Sequence, residues 1–282
     1  MQRKSIFRNN TSFRNFSMNL SQIPIFVLCG GMGTRLREET EFRPKPMVTI
    51  GKHPILWHIL QSYSKFGFRR FILCLGYKSE MIKSYFHNFF SFNNDCTINL
   101  KNNKTVIHES IEQIDWEITM AYTGERSMTG SRIAQAAKKY VGDSEYFGVT
   151  YGDGLTDVNL ADEFYFHLNH KKIGTILGVN PPSRFGELEV DGDQVICFRE
   201  KPDFENDWIN GGYFFFRREF LSYLSEDENC ILERAPLFNL ARDGELKVYK
   251  HKGFWACMDT QRDRDILVKM VEEGNTPWLT KK

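Results

Sequence analysis

The sequence predicts an α/β fold, a parallel or mixed sheet with helices on its faces and a smaller β-rich portion toward the C-terminus. Two observations point there. Short apolar runs alternate with segments of helical period, the pattern of strands joined by crossover helices. Glycine-rich turns follow two of those runs, Gly30-Gly31-Met32-Gly33 and Gly152-Asp153-Gly154, and ligands of open α/β sheets gather where strands end, so both turns are expected to face one crevice.

Taken in order, residues 1–22 differ in kind from the rest: Arg3, Lys4, Arg8 and Arg14 lie among Asn, Ser and Phe, with no acidic side chain before Glu38. They are expected to form a disordered extension, or an over-extended gene start with Met18 as initiator, with a transit peptide the lesser alternative. A single domain is expected over residues 23–282. Its first strand is 24–28, where Pro24-Ile25-Phe26-Val27-Leu28 has the length and composition of a buried strand. Strands are expected at 70–75, 117–121, 146–150, 174–179 and 212–216, and helices at 54–65, 80–86, 131–140 and 160–169. Residues 187–190 and 195–199 flank Asp191-Gly192-Asp193, an Asp-Gly hairpin signal. Phe214, Phe215 and Phe216 are expected in the core.

The chain of 282 residues carries 37 Lys plus Arg against 36 Asp plus Glu, so it has no broad basic field for nucleic acid and any anion site must be local. Six cysteines occur without a C-x-x-C pair and are expected as free thiols, which suits a reducing cytoplasm. No apolar stretch approaches the roughly 18 residues of a membrane helix, so a soluble protein with no membrane partner is expected.

The first glycine turn has the makings of a phosphate cradle, because glycines let backbone N–H groups turn onto an anion with no Cβ in the way. Arg35 and Lys45 add fixed positive charge beside it. A dinucleotide fingerprint is excluded by the missing third glycine and ribose-binding acid, and a P-loop by the missing Gly-Lys-Ser/Thr. A tight strand-to-helix turn without a ligand remains the competing reading of the glycines alone.

With Thr34-Arg35-Leu36, Arg43-Pro44-Lys45-Pro46-Met47, Pro54-Ile55-Leu56-Trp57-His58-Ile59, Ser127-Met128-Thr129-Gly130, Tyr151-Gly152-Asp153-Gly154, Glu200-Lys201-Pro202, Ile209-Asn210-Gly211-Gly212 and Met258-Asp259-Thr260 added, the chain resembles the sugar-1-phosphate nucleotidyltransferases. Its wording is most similar to the glucose-1-phosphate cytidylyltransferases, over about residues 23 to 282. The resemblance implies a Rossmann-like, nucleotide-diphospho-sugar transferase type of fold. It also implies transfer of a cytidylyl group from CTP to α-D-glucose 1-phosphate, giving CDP-glucose and pyrophosphate, with Mg²⁺ as cofactor. A homo-oligomer and a role in dideoxysugar and surface polysaccharide synthesis follow from the same resemblance.

Residue by residue, the resemblance assigns the nucleotide to Leu28, Cys29, Gly30, Gly31, Met32, Gly33, Thr34, Arg35, Lys45, Ser127, Arg132 and Gly152. Catalysis falls to Arg35, Lys45 and Asp153, and the metal to Asp153 and Asp259. Glu200, Lys201, Asn210 and Gly211 are assigned to the sugar phosphate, Lys201 meeting the phosphate. The chemistry agrees: the obstacle is bringing anions together, and Mg²⁺ typically takes one or two carboxylates plus phosphate oxygens. By its local letters Asp153 reads equally as a turn residue. Arg132 alone would read as a solvated helix-face residue, and Ser131 stands where relatives carry a second glycine. Cys29, where relatives have a small Ala, is expected to be unusually reactive beside the cationic loop. His167-x-x-His170 has helical metal spacing but no third ligand, so a solvated face is expected. Alternatives are a relative using dTTP, UTP or GTP or another sugar phosphate, and a non-catalytic nucleotide-sugar binder.

Overall fold

The computed structural model describes residues 18–108, 114–181, 187–199 and 208–280. Strand β1 (Pro24–Leu28) runs into the glycine loop, followed by α1 (Arg37–Thr40), the short pair β2 (Thr49–Ile50) and β3 (His53–Pro54), and α2 (Ile55–Ser64). Next come β4 (Arg70–Leu75), α3 (Ser79–His87), α4 (Phe89–Asn93), the hairpin β5 (Cys96–Asn99) with β6 (Lys104–Ile107), β7 (Glu117–Tyr122) and α5 (Thr129–Tyr140). The chain continues through β8 (Tyr146–Tyr151), β9 (Gly154–Thr156), α6 (Leu160–His170), β10 (Gly174–Val179) and the hairpin of β11 (Glu187–Asp191) and β12 (Gln194–Arg199). It closes with β13 (Ile209–Arg217), α7 (Ala235–Arg242), β14 (Leu246–His251), β15 (Trp255–Cys257) and α8 (Gln261–Glu272).

Seven strands form the central sheet in the order β14-β10-β13-β8-β1-β4-β7. All its neighbours are parallel except β13, which runs antiparallel to both β8 and β10. The sheet is therefore mixed. The reversal has a functional consequence: Tyr213 pairs with Thr150, so the start of β13, with Asn210, stands at the same edge as the end of β8.

Both faces are buried, as the near-continuous apolar strands require. Ile25, Val27, Phe71 and Leu73 point into one layer with Ile59 and Tyr63 of α2, Phe164 of α6 and Leu267 of α8. Phe26, Ile72 and Cys74 point into the other, with Ile133 and Ala137 of α5 and Leu240 of α7. The three consecutive phenylalanines of β13 serve both layers, Phe215 in the first and Phe214 and Phe216 in the second, each with no exposed surface. Full burial of such a side chain is worth about 1.5–3 kcal/mol.

The expected hairpin forms around Asp191-Gly192-Asp193, Leu188 pairing with Phe198. Residues 18–22, read from sequence as part of an extension, form a short turn capped by the Asn19 side chain, which accepts from the Ser21 N–H at 3.1 Å. Met18 and Leu20 pack on the core. Residues 1–17 lie outside the described residues.

Candidate active site

The crevice opens where β1, β4, β7 and β8 end. Beyond Leu28 the glycine loop is tied down by two backbone bonds, Cys29 N–H to the Cys74 carbonyl at 3.1 Å and Tyr77 N–H to the Gly30 carbonyl at 3.2 Å. At Gly31 a Cβ would meet no atom within 4 Å, so this part of the loop borders open space.

Beneath the loop lies Arg132, only 4% exposed. One Nη donates to the Leu75 carbonyl (3.1 Å), the Thr123 hydroxyl (2.9 Å) and the Gly124 carbonyl (2.7 Å). The other donates to the Gly30 (2.9 Å) and Glu125 (3.2 Å) carbonyls. One guanidinium thus joins the chain just past β1, β4 and β7. Arg132 is not the solvated helix-face residue that its sequence neighbourhood suggested: α5 begins at Thr129 and turns this side chain into the protein.

Lys45 sits in a 3-10 turn, Lys45–Met47, set by the prolines on either side and closed by bonds from Met47 N–H to the Pro44 carbonyl (2.8 Å) and Val48 N–H to the Lys45 carbonyl (3.1 Å). Its ammonium lies 2.6 Å from Asp153 Oδ2 and 2.6 Å from Asp259 Oδ1. Arg35 reaches the other oxygen of Asp259 at 2.7 Å. Four residues spread over most of the sequence thereby meet in one cluster.

Backbone pairing places the two carboxylates. Gly154 of β9 pairs with Cys257 of β15, and Met258 N–H donates to the Asp153 carbonyl at 2.9 Å. At Gly152 a Cβ would lie 2.8 Å from the Leu28 carbonyl oxygen and 2.9 Å from Pro46, so only glycine lets this turn press against both the strand end and the Lys45 turn. Tyr213 supports the turn from the core, its hydroxyl donating to the Gly154 carbonyl at 2.8 Å. Asp259 is fixed by the cap of α8, where the Asp263 carboxylate accepts from the Asp259 N–H at 3.1 Å and the Thr260 N–H at 2.9 Å.

Electrostatics follow from this geometry. Burial pulls the Lys45 ammonium down, but Asp153 and Asp259 outweigh it and hold the group above the usual lysine range. Burial alone would raise Asp259, yet the Lys45 bond and charge, with Arg35, hold its carboxyl below the ordinary value. Two cations face two anions, so the cluster is balanced before any substrate arrives.

Of the other sequence-assigned residues, Ser127 accepts from Gln135 Nε2 at 3.2 Å. Ser131 is fully buried, its N–H bound to the Cys230 carbonyl (3.0 Å) and its hydroxyl to the Glu226 carbonyl (3.0 Å), which accounts for a serine in place of glycine. Asn210 is exposed at the crevice edge, and the Gly211 carbonyl accepts from the Trp255 indole at 2.8 Å. Glu200 and Lys201 lie outside the described residues. Sequence reasoning missed Glu233, which accepts from the Tyr151 hydroxyl at 2.5 Å and the Thr129 hydroxyl at 2.7 Å. Tyr151 lay within a motif already singled out; Glu233 gave no signal.

Two expectations are corrected. Cys29 is fully buried, and desolvation with the neighbouring Cys74 pushes its thiol well above the ordinary value despite Arg132, so it lacks the thiolate character of a reactive cysteine. His167 is 1% exposed and not on a solvated face; its Nδ1 and His170 Nε2 both meet the Thr175 hydroxyl, at 2.8 and 2.7 Å. Among the described residues no group of three or more His, Cys, Asp or Glu side chains is placed to hold a metal.

The profile of the nucleotidyl transferase family matches residues 25–256, from the first strand through β15. The chain belongs to the nucleotidyl transferase family. The glucose-1-phosphate cytidylyltransferase of Salmonella typhi is 43% identical to this nucleotidyl transferase over 254 residues, covering 90% of this chain and 98% of that protein. The mannose-1-phosphate guanyltransferase beta-A of Xenopus laevis is 29% identical over 264 residues, covering 90% of this chain and 67% of that protein. Among solved structures, HddC of Yersinia pseudotuberculosis superposes with a TM-score of 0.64 at 22% identity, covering 88% of this chain and 99% of that one, a likeness of fold. Among the described residues no helix is long and apolar enough to cross a membrane.

Proposed function

We propose that this nucleotidyl transferase moves the cytidylyl group of CTP onto α-D-glucose 1-phosphate, releasing pyrophosphate and forming CDP-glucose. The observation that carries the reading is the 43% identity to a glucose-1-phosphate cytidylyltransferase over 98% of that protein. The crevice supports it, with Lys45 and Arg35 beside an open glycine loop.

In the reaction an oxygen of the sugar phosphate attacks the α-phosphorus of CTP, and the bond to the departing pyrophosphate breaks. The backbone N–H groups from Gly30 to Thr34 wrap the triphosphate, while Lys45 and Arg35 take up the charge that grows on the leaving pyrophosphate. Asn210, Gly211, Glu200 and Lys201 are the residues proposed for the sugar phosphate.

A divalent ion fits the donors present. Asp153 and Asp259 offer only oxygen, converge on one cationic position now taken by the Lys45 ammonium, and number the one or two carboxylates that Mg²⁺ accepts alongside phosphate. The balanced cluster has no spare positive charge for two phosphorylated substrates. When bound, Mg²⁺ supplies that charge and polarises the phosphate oxygens. Residues 23–282 acting as one catalytic domain, a homo-oligomer, a cytoplasmic location and a place in dideoxysugar or O-antigen synthesis complete the reading.

The test is pyrophosphate release from purified protein with Mg²⁺, glucose 1-phosphate and each nucleoside triphosphate in turn, with and without chelator. Release with CTP alone, abolished by chelator, supports the assignment. Release with another nucleotide overturns the base, and silence with all of them overturns glucose 1-phosphate as the acceptor.

A further inference from the structure

At the crevice edge a chain of polar groups runs from β13 to the segment before α7. Asn210 Oδ1 accepts from Gly212 N–H at 2.8 Å. That bond identifies the amide's oxygen, since an N–H can be answered only by an acceptor. Asn210 Nδ2 therefore faces Tyr151 and donates to its hydroxyl oxygen at 3.3 Å. The Tyr151 proton is left one acceptor, Glu233 Oε1, at 2.5 Å. The other oxygen of Glu233 accepts from Thr129, whose hydroxyl oxygen in turn accepts from Leu232 N–H at 2.9 Å. Every donor in the chain points toward the carboxylate, and such aligned bonds reinforce one another.

The Tyr151 ring is held as firmly as its hydroxyl. A Cβ at Gly212 would come within 2.4 Å of it, and the Phe214 ring packs edge-on with centroids 5.9 Å apart. Asn210 is exposed at the start of β13, and Tyr151 uses only one of the two N–H groups of its amide.

We infer that Glu233 is a positioning residue for the sugar phosphate: through the Tyr151 hydroxyl it locks the Asn210 amide in the orientation that presents an N–H to an oxygen of the acceptor substrate. The inference rests on the reaction proposed above and adds the residues that set the acceptor side of the same site. Lys45, Asp153 and Asp259 make no hydrogen bond in the relay, whose one amide assigned to a substrate is that of Asn210, so its loss should tell on the acceptor first.

Steady-state kinetics of Tyr151→Phe, Glu233→Ala, Glu233→Gln and the Tyr151→Phe/Glu233→Ala double variant test it, with CTP and glucose 1-phosphate varied separately. Loss of one such bond should raise KM for glucose 1-phosphate by about 2- to 10-fold in Tyr151→Phe and Glu233→Ala, with KM for CTP within about twofold of the parent. The double variant should be no worse than either single one, because both break the same chain. Glu233→Gln should recover most of the loss, its oxygen accepting from Tyr151 and its amide donating to Thr129. An unchanged KM for glucose 1-phosphate in Tyr151→Phe overturns the relay, as does an equal rise in both KM values or a double variant whose effects multiply. The parent protein is the control for the reaction itself: a parent that releases no pyrophosphate from CTP and glucose 1-phosphate overturns the functional reading and the relay's substrate with it, whereas an active parent with unaltered variants overturns the relay alone.

Discussion

The backbone N–H of Met258 donates to the carbonyl of Asp153 at 2.9 Å, and this bond sets the register between the two segments that carry the crevice carboxylates. Asp153 and Asp259 are thereby brought onto one ammonium, that of Lys45, each at 2.6 Å. The carboxylates are fixed by backbone, the cation by a proline-bounded turn, and the cluster is assembled before any substrate binds.

Lys45 is expected to be the most costly single loss. Lys45→Met removes a charge from the position where pyrophosphate leaves, and loss of one preorganised donor at a developing charge typically costs about 10²- to 10³-fold in rate. It also takes from Asp153 its ion-pair partner and leaves Asp259 with Arg35 alone. The variant should therefore lose thermal stability together with pyrophosphate release. A variant with full activity would remove Lys45 from the mechanism.

Asp259→Asn separates metal from fold. The amide oxygen still accepts from one of the two cations that Asp259 holds on separate oxygens, Lys45 on Oδ1 and Arg35 on Oδ2, so the variant should fold, while the Mg²⁺ concentration needed for half-maximal activity should rise by at least the roughly 10- to 100-fold typical of disturbed metal sites. Asp153→Asn should behave alike. A magnesium titration of pyrophosphate release measures both, and an unshifted midpoint would leave the carboxylates as partners of Lys45 and Arg35 only.

Arg132→Lys should disturb the glycine loop from below. One ammonium cannot reach the five oxygens that the guanidinium holds, so several of the bonds that tie the loop to the ends of β4 and β7 are lost. A cost of about 2–4 kcal/mol in unfolding free energy is expected, read from the urea midpoint. A smaller loss of stability with a large loss of CTP affinity would instead show that Arg132 meets the nucleotide.

Much of this was legible in the sequence wherever the local signal was strong. Strands β1, β4 and β10 have the predicted bounds because their apolar runs are unbroken. Strand β13 starts at Ile209 and not at 212, because Asn210 and Gly211 hide strand character behind polar and glycine letters. Strand β14 was missed since Leu-Lys-Val-Tyr-Lys-His is an edge strand, half polar along its length. In the site, Lys45, Asp153 and Asp259 were found through their motifs, but no local pattern states that they meet. The local letters of Arg132 did not show its burial, because an arginine near a helix start is ordinarily solvated. Here the loop carbonyls needed a buried donor, a requirement set by strands distant in sequence.

The buried titratable groups should give the fold a pH optimum of its own. Glu163, with no exposed surface and neither oxygen bonded, is pushed up to about 8 by burial. Its folded value stands above the unfolded one, so its contribution is complete below about 4.5 and is lost as pH rises through about 8. Burial lowers His58 to about 4 and His167 to about 3, so each contributes fully above about 6.5 and loses that contribution as pH falls through its folded value. His58 is neutral in a complete pair of bonds: its Nδ1 accepts from the Trp278 indole at 3.1 Å, so the proton is on Nε2 and goes to the Ile50 carbonyl at 3.0 Å. Between about 4.5 and 6.5 His58 and His167, joined by His170, which burial also lowers, oppose Glu163, and stability should rise with pH; above that Glu163 dominates up to about 8, and it should fall. The urea midpoint measured from pH 5 to 9 should peak near 6.5, and Glu163→Gln should abolish the decline on the alkaline side. Parallel curves for the parent and that variant would show that Glu163 does not carry its proton into the folded state at neutral pH.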